Sequence, residues 1–171
     1  MIVRESTSSL PDRLEDLTEI LHACVHAGAS VGFVLPFDQA DARRYWQDRV
    51  FPVITPERNE LFSARQNGRV VGTVTLGMDM MPNQPHRADV AKLLVHPEAR
   101  RQGLGRALMT VLEERAQALG KELLVLDTRS FDPSLSLYLS LGFKIAGEIP
   151  DYCRNPFDER LEPTTYMFKR L

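Results

Sequence analysis

The chain has 171 residues, 43% of them hydrophobic, enough for one compact domain spanning 1–171 with its own core. Its charged residues, 26% of the total, sum to a formal charge of -2, so no basic field draws it to nucleic acid or to an anionic membrane. No apolar run reaches the roughly 20 residues of a membrane span, and Met1-Ile2-Val3-Arg4-Glu5 lacks a signal peptide's apolar region, so a soluble cytoplasmic protein is expected.

In chain order, Met1 to Ser6 predicts a short edge strand. Leu14, Leu17, Ile20, Leu21, Cys24 and Val25 then recur at helical spacing up to Gly28. The small residues of Gly28-Ala29-Ser30-Val31-Gly32-Phe33 predict a loop, and Pro36-Phe37-Asp38 restarts a helix that Pro52 and Pro56 end. Leu61 to Arg65 and Arg69 to Leu76 predict a hairpin turning at Asn67-Gly68. Arg87 to Val95 reads as a strand, Leu104 to Leu119 as a helix and Leu123 to Thr128 as a second strand, together a parallel crossover. On the helix, Leu104, Leu108, Val111, Leu112, Ala116 and Leu119 share one face, with Glu113, Glu114 and Gln117 opposite and Gly120 as the stop. Asp132-Pro133 caps a short helix ending at Gly142. Phe143 to Ile149 and Thr165 to Phe168 close the sheet, separated by a polar loop carrying Pro150, Pro156 and Pro163. The fold class is therefore mixed α/β, with antiparallel N-terminal strands before a parallel strand-helix-strand core.

The two cysteines, Cys24 in a helix and Cys153 in the late loop, have no metal-ligand spacing and read as free thiols; no metal is expected. Cys153 as an acyl-carrying nucleophile would need a His that its neighbourhood does not supply.

The most informative segment is Val95-His96-Pro97-Glu98-Ala99-Arg100-Arg101-Gln102-Gly103-Leu104-Gly105-Arg106, where a strand turns into a helix. Glycines there let the backbone come close to a ligand, the helix start offers free N–H groups and a positive dipole end, and three arginines add charge; a pyrophosphate suits them. The spacing Arg100-x-x-Gly103-x-Gly105 after Val95-x-Pro97 resembles the acetyl-CoA motif of the GNAT acetyltransferase superfamily. Leu137-Tyr138-Leu139-Ser140-Leu141-Gly142-Phe143 resembles that family's later signature, a Tyr on a short helix before Gly-Phe.

The resemblance implies a cytoplasmic N-acetyltransferase in which an amine attacks acetyl-CoA directly, with no covalent enzyme intermediate. Leu93, Leu94, Val95 and the run Arg100, Arg101, Gln102, Gly103, Leu104, Gly105 and Arg106 are the cofactor contacts it implies, with the Leu94 and Val95 N–H groups as the oxyanion and pantetheine contacts. Tyr138 matches the family's acid for the departing thiolate. Asp89, fourteen residues before Gly103, stands where histone-acetylating members carry a catalytic Glu. Asp127, at a parallel strand's C-terminal end, is the second carboxylate, as base or as a group that orients the amine.

Further segments resemble tabtoxin-resistance-type acetyltransferases, GNAT members that act on a small β-lactam-containing toxin. These are Gly28 to Phe33, Arg87-Ala88-Asp89-Val90, Leu126-Asp127-Thr128 and Gly147-Glu148-x-Pro150-x-Tyr152-Cys153. They imply a small-molecule amine acceptor lined by Ser30, Phe33 and Tyr152, and a monomer or homodimer. One departure stands out: where many members have an Asn that touches the cofactor, this chain has Phe131, with Ser130, Asp132 and Ser134 as neighbours able to substitute. A GNAT enzyme modifying protein N-termini or lysines, and a non-catalytic acyl-CoA sensor, are the competing readings.

Overall fold

The computed structural model describes all residues from Met1 to Leu171. Seven strands, β1 (Ile2–Arg4), β2 (Asn59–Gln66), β3 (Arg69–Gly77), β4 (Arg87–Val95), β5 (Leu123–Arg129), β6 (Lys144–Arg154) and β7 (Leu161–Arg170), form one sheet in the order β1-β2-β3-β4-β5-β7-β6. Every neighbouring pair is antiparallel except β4 and β5, which run parallel because the helix α3 (Leu104–Ala118) crosses between them. The other helices are α1 (Leu14–His26), α2 (Gln39–Tyr45) and α4 (Pro133–Ser140).

Two apolar cores sit on opposite faces of the sheet. One joins α1 and α2 to Leu61, Val70 and Leu94. The other joins Leu108, Met109, Leu112 and Ala116 of α3 and Tyr138 of α4 to Phe62, Val74, Ala88, Val90, Leu124, Leu126 and Met167. Each element follows from its own residues. Asp38 caps α2 through a reciprocal bond with Asp41, the Asp41 N–H donating to Asp38 Oδ1 at 2.8 Å. Beyond α2 the chain widens into one π turn over Trp46–Val50, and the buried Trp46 indole N–H donates to the Leu17 carbonyl at 2.8 Å, fixing this pair of helices. Asn67 and Gly68 both have positive φ, 50° and 81°, as a tight hairpin requires.

Two expectations need correction. Glu113 is not on a solvated face: it turns back to Lys169 Nζ at 2.6 Å, tying α3 to β7. The late segment is not one long polar loop, since β6 runs on to Arg154 and β7 begins at Leu161, which places Tyr152 and Cys153 on a strand. Pro150 is tolerated because β6 is the sheet edge and its register breaks between Ile149 and Cys153, where no ladder N–H is required.

The helix α3 is held on the sheet by Glu60 of β2, which receives Arg115 Nη2 at 2.7 Å and Arg4 Nη1 at 2.8 Å. Burial alone would raise the Glu60 carboxyl, but hydrogen bonds and charge from Arg115 and Arg4 outweigh it and hold it below its ordinary value of 4.5. A depressed folded pKa contributes stability that is present above the unfolded value and lost as pH falls through the folded one. Glu60→Gln should therefore melt below wild type at neutral pH, and the gap should close as both are titrated below 4.5; a gap independent of pH would contradict this.

Candidate active site

The site begins where β4 and β5 part. They pair only at Arg87 with Leu123, Ala88 with Leu124 and Asp89 with Val125, and then β4 continues to Val95 and β5 to Arg129 with a gap between them. On its other edge, β4 carries a bulge: Thr75 faces Ala91 but Thr73 faces Leu94, so Lys92 and Leu93 together oppose Val74. Lys92 takes the left-handed φ of 53° that this extra residue demands. The bulge switches faces. Val90 packs with α3, whereas Leu94, which regular alternation would put on the same side, packs with α1.

Backbone groups follow the same logic. Val95 lies opposite Gly72 and the next residue, His96, donates to the Val71 carbonyl at 2.8 Å, so Val95 is a non-hydrogen-bonded pair whose N–H turns away from β3 toward the gap. The Leu94 backbone is committed to β3, opposite Thr73. Of the two N–H groups expected at the gap, the geometry supplies Val95.

After β4, a turn over Pro97–Ala99 leads into Arg101 and Gly103, both left-handed with φ of 63° and 78°. Gly103 is the N-cap of α3 and provides no side-chain cap, so the first-turn N–H groups face outward with the positive end of the dipole. A Cβ built on Gly103 would meet nothing within 4 Å, which leaves the cradle in front of those groups open. Such a donor set, with no side chain closing it, suits the pyrophosphate of acetyl-CoA. Gly105 has a different reason: its Cβ would lie 3.2 Å from Leu137 Cδ2, so it allows α3 to approach α4.

The arginines divide as well. Arg100 folds back, its Nε donating to the Val95 carbonyl at 3.2 Å and its Nη2 lying 3.8 Å from Cys24 Sγ. Arg106 donates to Ser140 Oγ at 2.8 Å, and Gln102 accepts from Gln66 Nε2 at 2.9 Å. Arg101 alone of the three arginines is exposed with no side-chain partner. The residues near Phe131 are also engaged: Ser130 with Thr165 at 2.7 Å, Ser134 with Thr128 at 2.7 Å, and Asp132 as the cap of α4, paired to Arg129 at 3.0 Å. Phe131 itself is 86% exposed.

On the α1 face of the sheet lie both sequence-predicted carboxylates. Asp89 pairs with Arg87 at 3.2 Å, and Asp127 accepts from Thr164 Oγ1 at 3.1 Å. Burial raises the Asp89 carboxyl above its ordinary range; Arg87 opposes this and the charge of Asp127 adds to it. Tyr166 faces Asp127 in the β5–β7 ladder and shares a 3.0 Å hydroxyl contact with Tyr152. That contact, burial and the two carboxylates raise the Tyr166 phenol.

The predicted loop is held beside this face, the floor of the candidate acceptor site. It is fastened on one side by Lys92 Nζ, which donates to the Val31 carbonyl at 3.0 Å, and on the other by Ser30 Oγ, 3.4 Å from Cys153 Sγ of β6. Phe33 does not line the floor but packs on Phe37 and Tyr45, ring centres 4.6 and 5.0 Å away. Tyr138 lies on the other side of the sheet, 6% exposed against Phe143. Burial first, then Asp132 and Asp127, push its phenol well above the ordinary range, so it carries its proton at neutral pH. Lys92, Thr164 and Tyr166 carry no local motif: a bulge and a cross-strand register bring them here.

The gap and the uncapped helix start lie side by side, with ionisable groups on both faces of the sheet, an arrangement able to hold a phosphate-bearing donor next to reactive groups. Residues 15–143 match the family model described as "Acetyltransferase (GNAT) family". The chain is 36% identical over 118 residues to an uncharacterized N-acetyltransferase of the hisH-hisA intergenic region in Azospirillum brasilense, covering 68% of each chain. It is 30% identical over 100 residues to an IAA acetyltransferase of the same organism, covering 58% of this chain and 63% of that one. Its fold matches yncA of Salmonella typhimurium, solved with its cofactor acetyl-CoA, with a TM-score of 0.78 at 21% identity, over 100% of this chain and 93% of that one. The chain belongs to the GNAT acetyltransferase family and is an acetyltransferase. No helix in it is long and apolar enough to cross a membrane.

Proposed function

We propose that the enzyme acetylates the amine of a small molecule, by direct attack of that amine on the bound acetyl donor. The observation that carries this reading is the grouping of Asp89, Asp127 and Tyr166 on one face of the sheet, with Tyr152 against Tyr166 and the loop at Ser30 and Val31 fastened to Lys92 and Cys153 at its margin. An extended peptide needs an open groove, and a loop fixed at that margin leaves less room for one. Acetyl-CoA would supply the acetyl group, with the uncapped start of α3 and Arg101 receiving its phosphates.

Each side chain then has a separate task. Asp89, with its raised carboxyl, takes the proton of the attacking amine, and Asp127 holds and orients the cation beforehand. The Val95 N–H donates toward the oxygen on which charge develops. Tyr138 keeps a proton available for the departing thiolate. The small polar surface between Tyr152 and Tyr166 fits an amino-acid-like toxin or antibiotic, the acceptor class suggested by the resemblance to tabtoxin-resistance-type enzymes.

Initial rates of thiol release, measured with a panel of small amines and with peptides bearing free N-termini, test the reading. Small amines should be preferred by at least about tenfold in kcat/KM; a preference for peptides would point to protein acetylation, and tight acetyl-CoA binding without turnover to a sensor. Tyr138→Phe should lower kcat by roughly tenfold, less than loss of the base, because a thiolate leaves tolerably well unaided. It should leave acetyl-CoA affinity unchanged; unaltered kcat would remove Tyr138 from the chemistry.

A further inference from the structure

Lys92 is a charge that the fold itself does not explain. It occupies the left-handed position of the β4 bulge, a conformation that costs a non-glycine residue free energy. Its ammonium is partly buried, 5.3 Å from the centre of the Tyr45 ring, and its single hydrogen bond is to the Val31 carbonyl at 3.0 Å. It makes no ion pair within 4.0 Å, whereas Lys169 is paired with Glu113 at 2.6 Å. Burial pushes its pKa down, with the charge of Asp127 opposing that. An ammonium withdrawn from water with no anion at ion-pair distance is costly, and two of its three donors remain unused.

The charges of the floor point to what completes it. Asp89 is balanced by Arg87 at 3.2 Å, which leaves Asp127 and Lys92 as one charge of each sign on the same face. Resting on the small-amine reading above, we infer that Lys92 binds a carboxylate of the acceptor, so that the acceptor is a zwitterion whose ammonium faces Asp127 and whose carboxylate faces Lys92. A phosphate would bring a second negative charge close to Asp127, and a plain amine would leave Lys92 as it is.

The test compares wild type and Lys92→Gln on the twenty protein amino acids, their C-terminal amides and the amines left by decarboxylation. Gln keeps the Cβ and an N–H donor, on a side chain one bond shorter. Wild type should favour the carboxylate-bearing member of its best set by roughly 10- to 100-fold in kcat/KM, the effect of one hydrogen bond to a charged group. Lys92→Gln should lose that preference through KM, with a far larger loss on the acid than on the amide, and should keep its stabilisation by acetyl-CoA. Equal wild-type rates on acid and amide would overturn the inference without any variant. An equal loss on both in Lys92→Gln would also overturn it, assigning Lys92 to chemistry or to fastening the loop. If no amine in any set is acetylated by wild type, the small-amine reading falls, and this inference with it.

Discussion

Asp89→Asn should lower kcat/KM for the amine by roughly 10²- to 10⁴-fold, with little change in acetyl-CoA affinity, because it removes basicity and keeps shape. The cofactor cradle at Arg101 and Gly103 lies on a separate turn and should not register the change. The pH profile carries the sign. A base works only when unprotonated, so activity is present above the Asp89 pKa and lost as pH falls through it. That limb lies above the ordinary 3.8 because burial raises the carboxyl. Arg87→Gln removes the charge that opposes the rise and should move the limb to higher pH. Asp127→Asn removes a charge that adds to it and should move the limb lower, while acting mainly on KM for the amine. If Asp127→Asn abolishes turnover and Asp89→Asn is nearly silent, the two roles are exchanged. If both are silent, the amine loses its proton to solvent.

Gly103→Val should abolish stabilisation by acetyl-CoA. In wild type that stabilisation should reach about 2.7 kcal/mol at roughly 100 times the dissociation constant. A Cβ at this position meets nothing within 4 Å, so the variant should fold, at a cost of about 1–2 kcal/mol for a side chain held at φ of 78°. The new methyl groups then occupy the space before the first-turn N–H groups of α3. Melting curves with and without acetyl-CoA read both effects. Wild-type stabilisation in Gly103→Val would mean that the cradle does not hold the cofactor.

Those two sites were legible in the sequence to different degrees. The Asn67-Gly68 hairpin, the amphipathic α3 and the capped α4 are local, written in spacing and caps, and each was placed within a few residues. The turn from Val95 to Arg106 was legible as a strand-to-helix turn with a glycine-led helix start, but the contacts of its side chains were not. Gly105 faces Leu137, Arg100 folds onto Val95 and Arg106 reaches Ser140, contacts that depend on how α3 meets α1 and α4. Asp89 and Asp127 were each named from the sequence, but that they share a face follows from the β4–β5 register, which puts Asp89 beside Val125, two residues from Asp127. Lys92 and Tyr166 were missed for a physical reason. A bulge adds one residue without any compositional mark, and Tyr166 reaches Asp127 only through pairing of strands that lie far apart in the chain. Tyr152 and Cys153 looked like loop residues because Pro150 interrupts the strand pattern, which an edge strand absorbs.

Direct transfer is tested most directly by initial velocities measured while both acetyl-CoA and an accepted amine are varied. Cys153 makes the measurement decisive, since its thiol lies on the acceptor side, 3.4 Å from Ser30, and an acetylated thiol would be the alternative route. Double-reciprocal lines that intersect, as a complex holding both substrates requires, are the expected result. Parallel lines, the mark of an acetyl-enzyme formed before the amine binds, would contradict it.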